Sequence, residues 1–439
     1  MRNNKNRFQS MRESINSDKV KIIARGDNQK SFSRERKAPF YDIIYSILSR
    51  KGLSTAMELR SFFKVRNNEA KISQQGYLKQ RKKLNPYVFT YLNDEFLNNF
   101  YGSRDEVKTW NGYVVFAIDG SNAEIPNSVC NREKYGCLGN NYSAGCARAL
   151  ISGLYDVLNV FFLDLQIMHS NTSEMKAAKN NLNAFARINI DFPKLILFDR
   201  NYPSVEFINI LESTGISYII RVKSSCYIQE RKELAEDDAL VKIMHTRARL
   251  DNIKRKSLKS YEELKQKKYT ETRFIKGRTP AGEEETFITN LPDKIKSESI
   301  VKEYFNRWAI ETAYNSLKNK MKLECVSGNA SIYVEQDFLA QILVYNMAQD
   351  MKKEAEEKLK KEKKESKYPL RINENQAFGI FRNEMINLML EDDNEKRGKK
   401  YQDLEDEMRN YYLPKRNLPS KERKFLPSNK YSLNLKPSF

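Results

Sequence analysis

Apolar residues recur along this chain with two different periods, and the switches between them divide it. VVFAID, ending at Asp119, and LILFD, ending at Asp199, are unbroken apolar runs closed by an aspartate. That pattern predicts strands buried on both faces. Between them, ARALISGLYDVLNVFFLDLQIM predicts two more strands around a turn at Asp156–Asn159, and SEMKAAKNNLNAFARI a helix with Ser173 as N-cap. A helix from Tyr202 to about residue 214 and a strand at ISYIIRVK follow. The α/β rhythm breaks over residues 226–298, where KYTETRFIK and ETFITNL are candidate strands and Thr279–Gly282 is a turn signal. Before the α/β part, FYDIIYSILSR is amphipathic. ISQQGYLKQRKKLNP predicts a helix behind Ser73 that carries Lys79, Arg81, Lys82 and Lys83 and is limited by Pro86. After it come helical patterns at EYFNRWAIETAYNSLKNKM, DFLAQILVYNMAQDM and NENQAFGIFRNEMINLML. KKEAEEKLKKEKKESK, with Glu–Lys pairs at i, i+4, predicts a solvated helix without chemistry.

Charge narrows the partner. The chain has 439 residues and a formal net charge of +20, which favours a polyanion, most commonly nucleic acid. Residues 1–37 hold eleven Lys or Arg against four acids and predict a flexible basic arm. Five cysteines without a C-x2-C pair argue against a zinc site or disulfide framework, and two histidines leave little for His-based catalysis. Carboxylate chemistry with a hard cation fits better. No apolar run reaches signal-peptide or membrane-span length, so a membrane partner is not expected.

Tyr304, Arg307, Glu311 and Lys318 carry the most information. On an ideal α-helix, turning ~100° per residue, they fall within an arc of roughly 60°. One stripe then holds a carboxylate, two cations and a phenol. With Asp119 and Asp199 at strand ends, Glu311 completes a set of carboxylates able to hold two Mg²⁺ or Mn²⁺ ions for phosphodiester hydrolysis. Arg307 and Lys318 would meet flanking phosphates, and Tyr304 a phosphate or a base. Trp308, one residue from Arg307, is read as core. An Arg–Glu pair at i, i+4 also describes a plain surface ion pair, and aspartates after strands are common in turns. The order Asp, Asp, Glu together with the single stripe favours the site.

The spacing Tyr304-x2-Arg307-x3-Glu311-x6-Lys318 resembles the Y-x2-R-x3-E-x6-K pattern of bacterial DDE transposases of the insertion-sequence-four group. AIDGS at Asp119 resembles their first acidic motif. LILFDRNYPS at Asp199 resembles their second, with Asn201 replacing a glycine. The resemblance spans about residues 40–430. It implies an RNase H-like core, in keeping with the strand order read above, interrupted by a β-rich insertion and flanked by helical N-terminal and C-terminal regions. The expected divisions are a basic arm over 1–38, a helical DNA-binding region over 39–105, core over 106–225, insertion over 226–298, core with the glutamate helix over 299–350, helical region over 351–395 and a basic extended tail over 396–439.

The resemblance further implies binding of double-stranded terminal repeats, metal-dependent cleavage at element ends, and attack of the freed 3′-hydroxyl on target DNA. Asp119, Asp199 and Glu311 would be the catalytic, metal-binding triad, and Tyr304, Arg307 and Lys318 the DNA contacts. A homodimer in the synaptic complex and a cytoplasmic, nucleoid-associated location are implied too. Members that form a hairpin intermediate stack a flipped base on a tryptophan in the insertion. Trp110 and Trp308 lie outside it here, leaving Tyr227, Tyr269 or Phe287 for such stacking. Two other readings stay open: a catalytically silent or domesticated DNA-binding relative, and an RNase H-like nuclease without strand transfer.

Overall fold

The computed structural model describes residues 4–34, 37–66, 72–140, 143–232, 234, 236–363 and 367–415. Helices come first: α1 (Asn4–Ile15), α2 (Asp18–Arg25), α3 (Phe40–Leu48), α4 (Thr55–Val65), α5 (Gln74–Arg81) and α6 (Tyr87–Gly102). The segment expected to be a flexible arm is therefore ordered through most of its length. Phe8, Met11 and Ile15 form an apolar helical stripe and are buried, a pattern that the surrounding charge hides in the sequence. Arg7 is buried with them and bonds Asp350 through Nε at 2.9 Å. Amphipathic FYDIIYSILSR instead packs nearly all round, with only Tyr41 of α3 left partly open.

Val114–Ile118 are fully buried, as befits the central strand that their unbroken apolar run predicts. They open β1 (Val114–Glu124), which is followed by α7 (Val129–Tyr135), β2 (Cys137–Asn140), β3 (Ser143–Asp156) and β4 (Phe161–His169). Next come α8 (Glu174–Asn181), β5 (Lys194–Phe198), α9 (Val205–Ser213) and β6 (Ser217–Val222). β3 runs antiparallel to both β1 and β4, while β5 is parallel to β1 and β6. The expected insertion contributes α10 (Ile228–Lys232), β7 (Asp238–Met244), α11 (Arg247–Lys256), α12 (Leu258–Lys265), β8 (Tyr269–Arg278) and β9 (Glu284–Thr289). Its strands extend the central sheet beyond β6, in the order β6-β9-β8-β7, and cover an edge that would otherwise be open. The result is one nine-stranded mixed sheet.

After β9 the helical run α13 (Ser297–Tyr304) and α14 (Ala309–Asn315) leads to α15 (Ser331–Glu362), a 32-residue helix packed on α6 and β4. β10 (Leu370–Ile372), α16 (Glu374–Met389), α17 (Asn394–Asn410) and β11 (Tyr412–Pro414) close the described chain. The tail expected to be extended from residue 396 is thus helical to Asn410, and residues 416–439 lie outside the described residues. Among the described residues no helix is long and apolar enough to cross a membrane.

Candidate active site

Asp119 does not end its strand. β1 continues to Glu124 because β3 keeps pairing with it, placing Asp119 opposite Gly153. Pairing with β5 stops earlier, at Ala117–Leu197, so Asp119 sits where β1 and β5 part. Asp199 directly follows β5, as predicted. The two aspartates therefore stand at one end of a parallel strand pair.

The stretch carrying Glu311 is not the single regular helix that the spacing predicts. α13 passes through a 3₁₀ turn at Phe305–Trp308 into α14, which ends in a π-turn at Ser316–Lys320. Changes in helix type shift side-chain phase, so the stripe is dispersed. Arg307 turns inward, its side chain 7 % exposed, while Glu311 remains 52 % exposed. Arg307 Nη1 donates to Asp119 Oδ2 at 3.3 Å and Nη2 to Glu311 Oε1 at 2.8 Å. One guanidinium thus joins two carboxylates, one of them on β1, 188 positions before Arg307. Asp199 lies within electrostatic reach of Arg307 and Tyr304.

Burial pushes the Asp119 carboxyl up to about 6; Arg307 and the Gly120 amide pull it down, and Glu311 and Glu174 raise it further. Arg307 alone therefore does not compensate the Asp119 charge. Burial opposes the charge on Arg307 itself, but Tyr304, Asp119 and Asp199 outweigh it and hold the group cationic. Tyr304 is buried, which pushes its phenol up, and its ring packs 4.8 Å from that of Phe287. Lys318 points along β1, donating to Ser121 Oγ at 2.7 Å and to the Asn122 carbonyl at 2.6 Å. Burial lowers its pKa.

Other expectations are corrected by packing. Trp308 is 54 % exposed and is not core, because the 3₁₀ turn that buries Arg307 rotates its neighbour outward. Phe287 is fully buried in β9 and has no face to offer a base, whereas Tyr269 is partly exposed. Arg81, expected on a basic DNA face, is fully buried and bonds Gln336, Ser327 and Asp337, while Lys79, Lys82 and Lys83 are exposed.

Two residues at the site escaped sequence reasoning. Tyr314 donates its hydroxyl to the Asp119 carbonyl at 2.8 Å and accepts the Gly153 amide at 2.7 Å, clamping β1 and β3 at the aspartate. A Cβ at Gly153 would stand 3.0 Å from that hydroxyl, so this approach suits glycine. Glu174 opens α8 beside Gly120. An acid in the first turn of the helix after the strand meander was the available signal.

The donors here are carboxylate oxygens, the chemistry of a hard divalent cation. Among the described residues no three Asp, Glu, His or Cys side chains form a ready-made cage, because Arg307 takes the space between Asp119 and Glu311. The incompletely compensated Asp119 and the buried Tyr202 hydroxyl, which has no hydrogen-bond partner among the described residues, both fit a cation with its bound water.

A family model described as "Transposase DDE domain" matches residues 110–347, more than half of the chain. No curated protein matches it. Among solved structures, a cryo-EM structure of a piggyBac transposase synaptic complex with hairpin DNA is similar at 8% identity, covering 94% of this chain and 86% of that one with a TM-score of 0.45.

Proposed function

The chain belongs to the transposase DDE-domain family, and from that premise we propose that it is an insertion-sequence transposase that cuts DNA at element ends and joins the freed 3′-hydroxyl to target DNA. The observation that carries this reading is the Arg307 bridge between Asp119 and Glu311, where β1 and β5 part and Asp199 also stands. The order β4-β3-β1-β5-β6, antiparallel in the meander and parallel after it, supports an RNase H-like core. In the proposed reaction Asp119, Asp199 and Glu311 would hold the divalent ions, Mg²⁺ or Mn²⁺. When bound, such ions supply an activated water and stabilise the leaving oxygen.

The remaining work belongs to the chain's own groups. Tyr314 fixes the backbone of Asp119, so the carboxylate keeps one orientation through the reaction. Arg307 partly offsets the charges of Asp119 and Glu311 in the free protein and would offer its planar fork to a phosphate when DNA arrives. Lys318 uses two of its three N–H donors on β1, leaving one for a flanking phosphate. Tyr304, buried within electrostatic reach of Arg307, would support that cation rather than meet DNA directly. The net charge of +20 suits double-stranded DNA as partner and substrate, and a homodimer would bring two ends together.

The test uses a duplex carrying the terminal repeats that flank the gene. Wild-type protein with Mg²⁺ should nick it and join the product to a target plasmid. Asp119→Asn, Asp199→Asn and Glu311→Gln should each abolish cleavage yet keep end binding within a few-fold. Wild-type cleavage by any of them would remove that residue from the triad. Cleavage without joined products would favour a nuclease.

A further inference from the structure

Glu174 is placed as no ordinary helix-opening acid. Ser173 caps α8, its Oγ accepting the Lys176 amide at 3.3 Å, and Glu174 is the first helical residue. An acid there commonly serves only the helix dipole, worth about 0.3–1 kcal/mol. This side chain lies against β1 instead. Its Cγ and Oε1 stand 3.2 and 3.4 Å from the point where a Cβ on Gly120 would project, beside Asp119. Its Oε2 accepts from Asn201 Nδ2 at 3.4 Å. Asn201 lies in the turn after Asp199, at the position where the resembling family has glycine. Glu174 thus spans from the Asp119 strand to the Asp199 turn, where Asn201 meets it.

An independent observation points to a ligand between these acids. Tyr202 is fully buried, and its hydroxyl has no hydrogen-bond partner among the described residues. Burial is the main force pushing its phenol up, and Glu174, Asp119, Tyr314 and Asp199 add to it electrostatically. A buried hydroxyl without a partner is costly. One within electrostatic reach of three carboxylates would be satisfied by the water of a hydrated cation held among them. Asp119, Asp199, Glu311 and Glu174 also outnumber Arg307 and Arg221, the cations that reach them, leaving excess negative charge that divalent ions would neutralise.

We propose that Glu174 is a fourth carboxylate of the metal site, linking the Asp119 strand to the Asp199 turn and sharing its cation with both. The inference rests on the metal-dependent reading given above, and the experiment separates the two. The probe is Tb³⁺, a hard cation whose luminescence is excited through nearby tyrosine and tryptophan, titrated into the intact DNA-free protein and displaced with Mg²⁺. Wild type should bind saturably and reversibly, and Asp119→Asn should lose the signal. Glu174→Gln should weaken binding on the order of 10-fold, as perturbed metal shells do, and Glu174→Asp should recover part of it. Thermal melts of each variant report that it is folded. If Asp119→Asn loses Tb³⁺ while Glu174→Gln binds as wild type, Glu174 is not a ligand although the metal reading stands. If wild type shows no saturable Mg²⁺-displaceable binding, both fall.

Discussion

Tyr314 illustrates what a single residue can do without touching a substrate. Its buried hydroxyl satisfies the Asp119 carbonyl and the Gly153 amide. Tyr314→Phe leaves both buried groups without that partner, at a cost of about 1–3 kcal/mol. We expect a lower melting temperature and slower cleavage with unchanged DNA affinity; a phenylalanine variant that cuts at the wild-type rate would show that the clamp is dispensable. Trp308 makes the opposite case. An aromatic in a core costs about 3–5 kcal/mol to truncate, but this one is 54 % exposed. Trp308→Ala should therefore change stability by no more than about 0.5 kcal/mol, as surface substitutions do, and a large loss in a denaturant titration would return it to the core. The acids were legible because they close apolar runs or sit at a fixed spacing. Tyr314 was not, being one of 24 tyrosines with nothing local to mark its partner 195 positions away.

At the scale of elements, periodicity gave the strands and the long helices but not the breaks within them. Asp119 looked strand-terminal because the apolar run stops there, yet the partner β3 carries β1 onward through GSNAE. The helical stripe dissolved for a similar reason: 3₁₀ and π turns leave no mark in spacing, and they decide that Arg307 faces in while Glu311 faces out. Charge concealed the docking of α17 on α15 too. Glu405, inside the segment expected to be an extended tail, is fully buried, and one of its oxygens meets Lys358 while Oε1 has no hydrogen-bond partner among the described residues. Burial pushes its carboxyl up to about 7, Lys358 opposing and Glu354 adding. The folded protein therefore holds this proton more tightly than the unfolded chain, so stability falls as pH rises from about 4.5 to about 7 and stays reduced above. Glu405→Gln, which mimics the protonated form, should gain on the order of 1–3 kcal/mol at pH 8 and almost nothing at pH 4. Melts at the two pH values check this; an equal change at both would mean that Glu405 ionises freely in its site.

Across the whole molecule, sequence reading separated an arm and a helical region that the structure joins to the catalytic part. Arg81 and Arg50 reach Asp337 of α15 from the N-terminal helices, and the Asp337 carboxylate stays ionised because both arginines outweigh its burial. Breaking such a buried pair costs about 3–5 kcal/mol, so the N-terminal helices are held rigidly rather than tethered. This changes where a surface for the proposed DNA partner would lie. The supposed arm and the lysine run of α5 meet in a cleft of about 620 Å³ lined by Lys21, Lys30, Arg34 and Lys83, with Phe32, Phe40 and Tyr41 among them. Cations interleaved with aromatics suit a phosphate backbone and its bases. Each phosphate neutralised on a duplex contributes about 0.9 to the slope of log affinity against log salt. Replacing Lys21, Lys30, Arg34 and Lys83 by alanine together should reduce that slope by roughly 3 if most of the four contact DNA. Glu311→Gln, which alters the site and not the cleft, should leave the slope unchanged. A fourfold variant with the wild-type slope would place the DNA path elsewhere, with the exposed lysines of α15 as the next surface to examine, whereas a reduced slope with intact melting would put the cleft under the duplex.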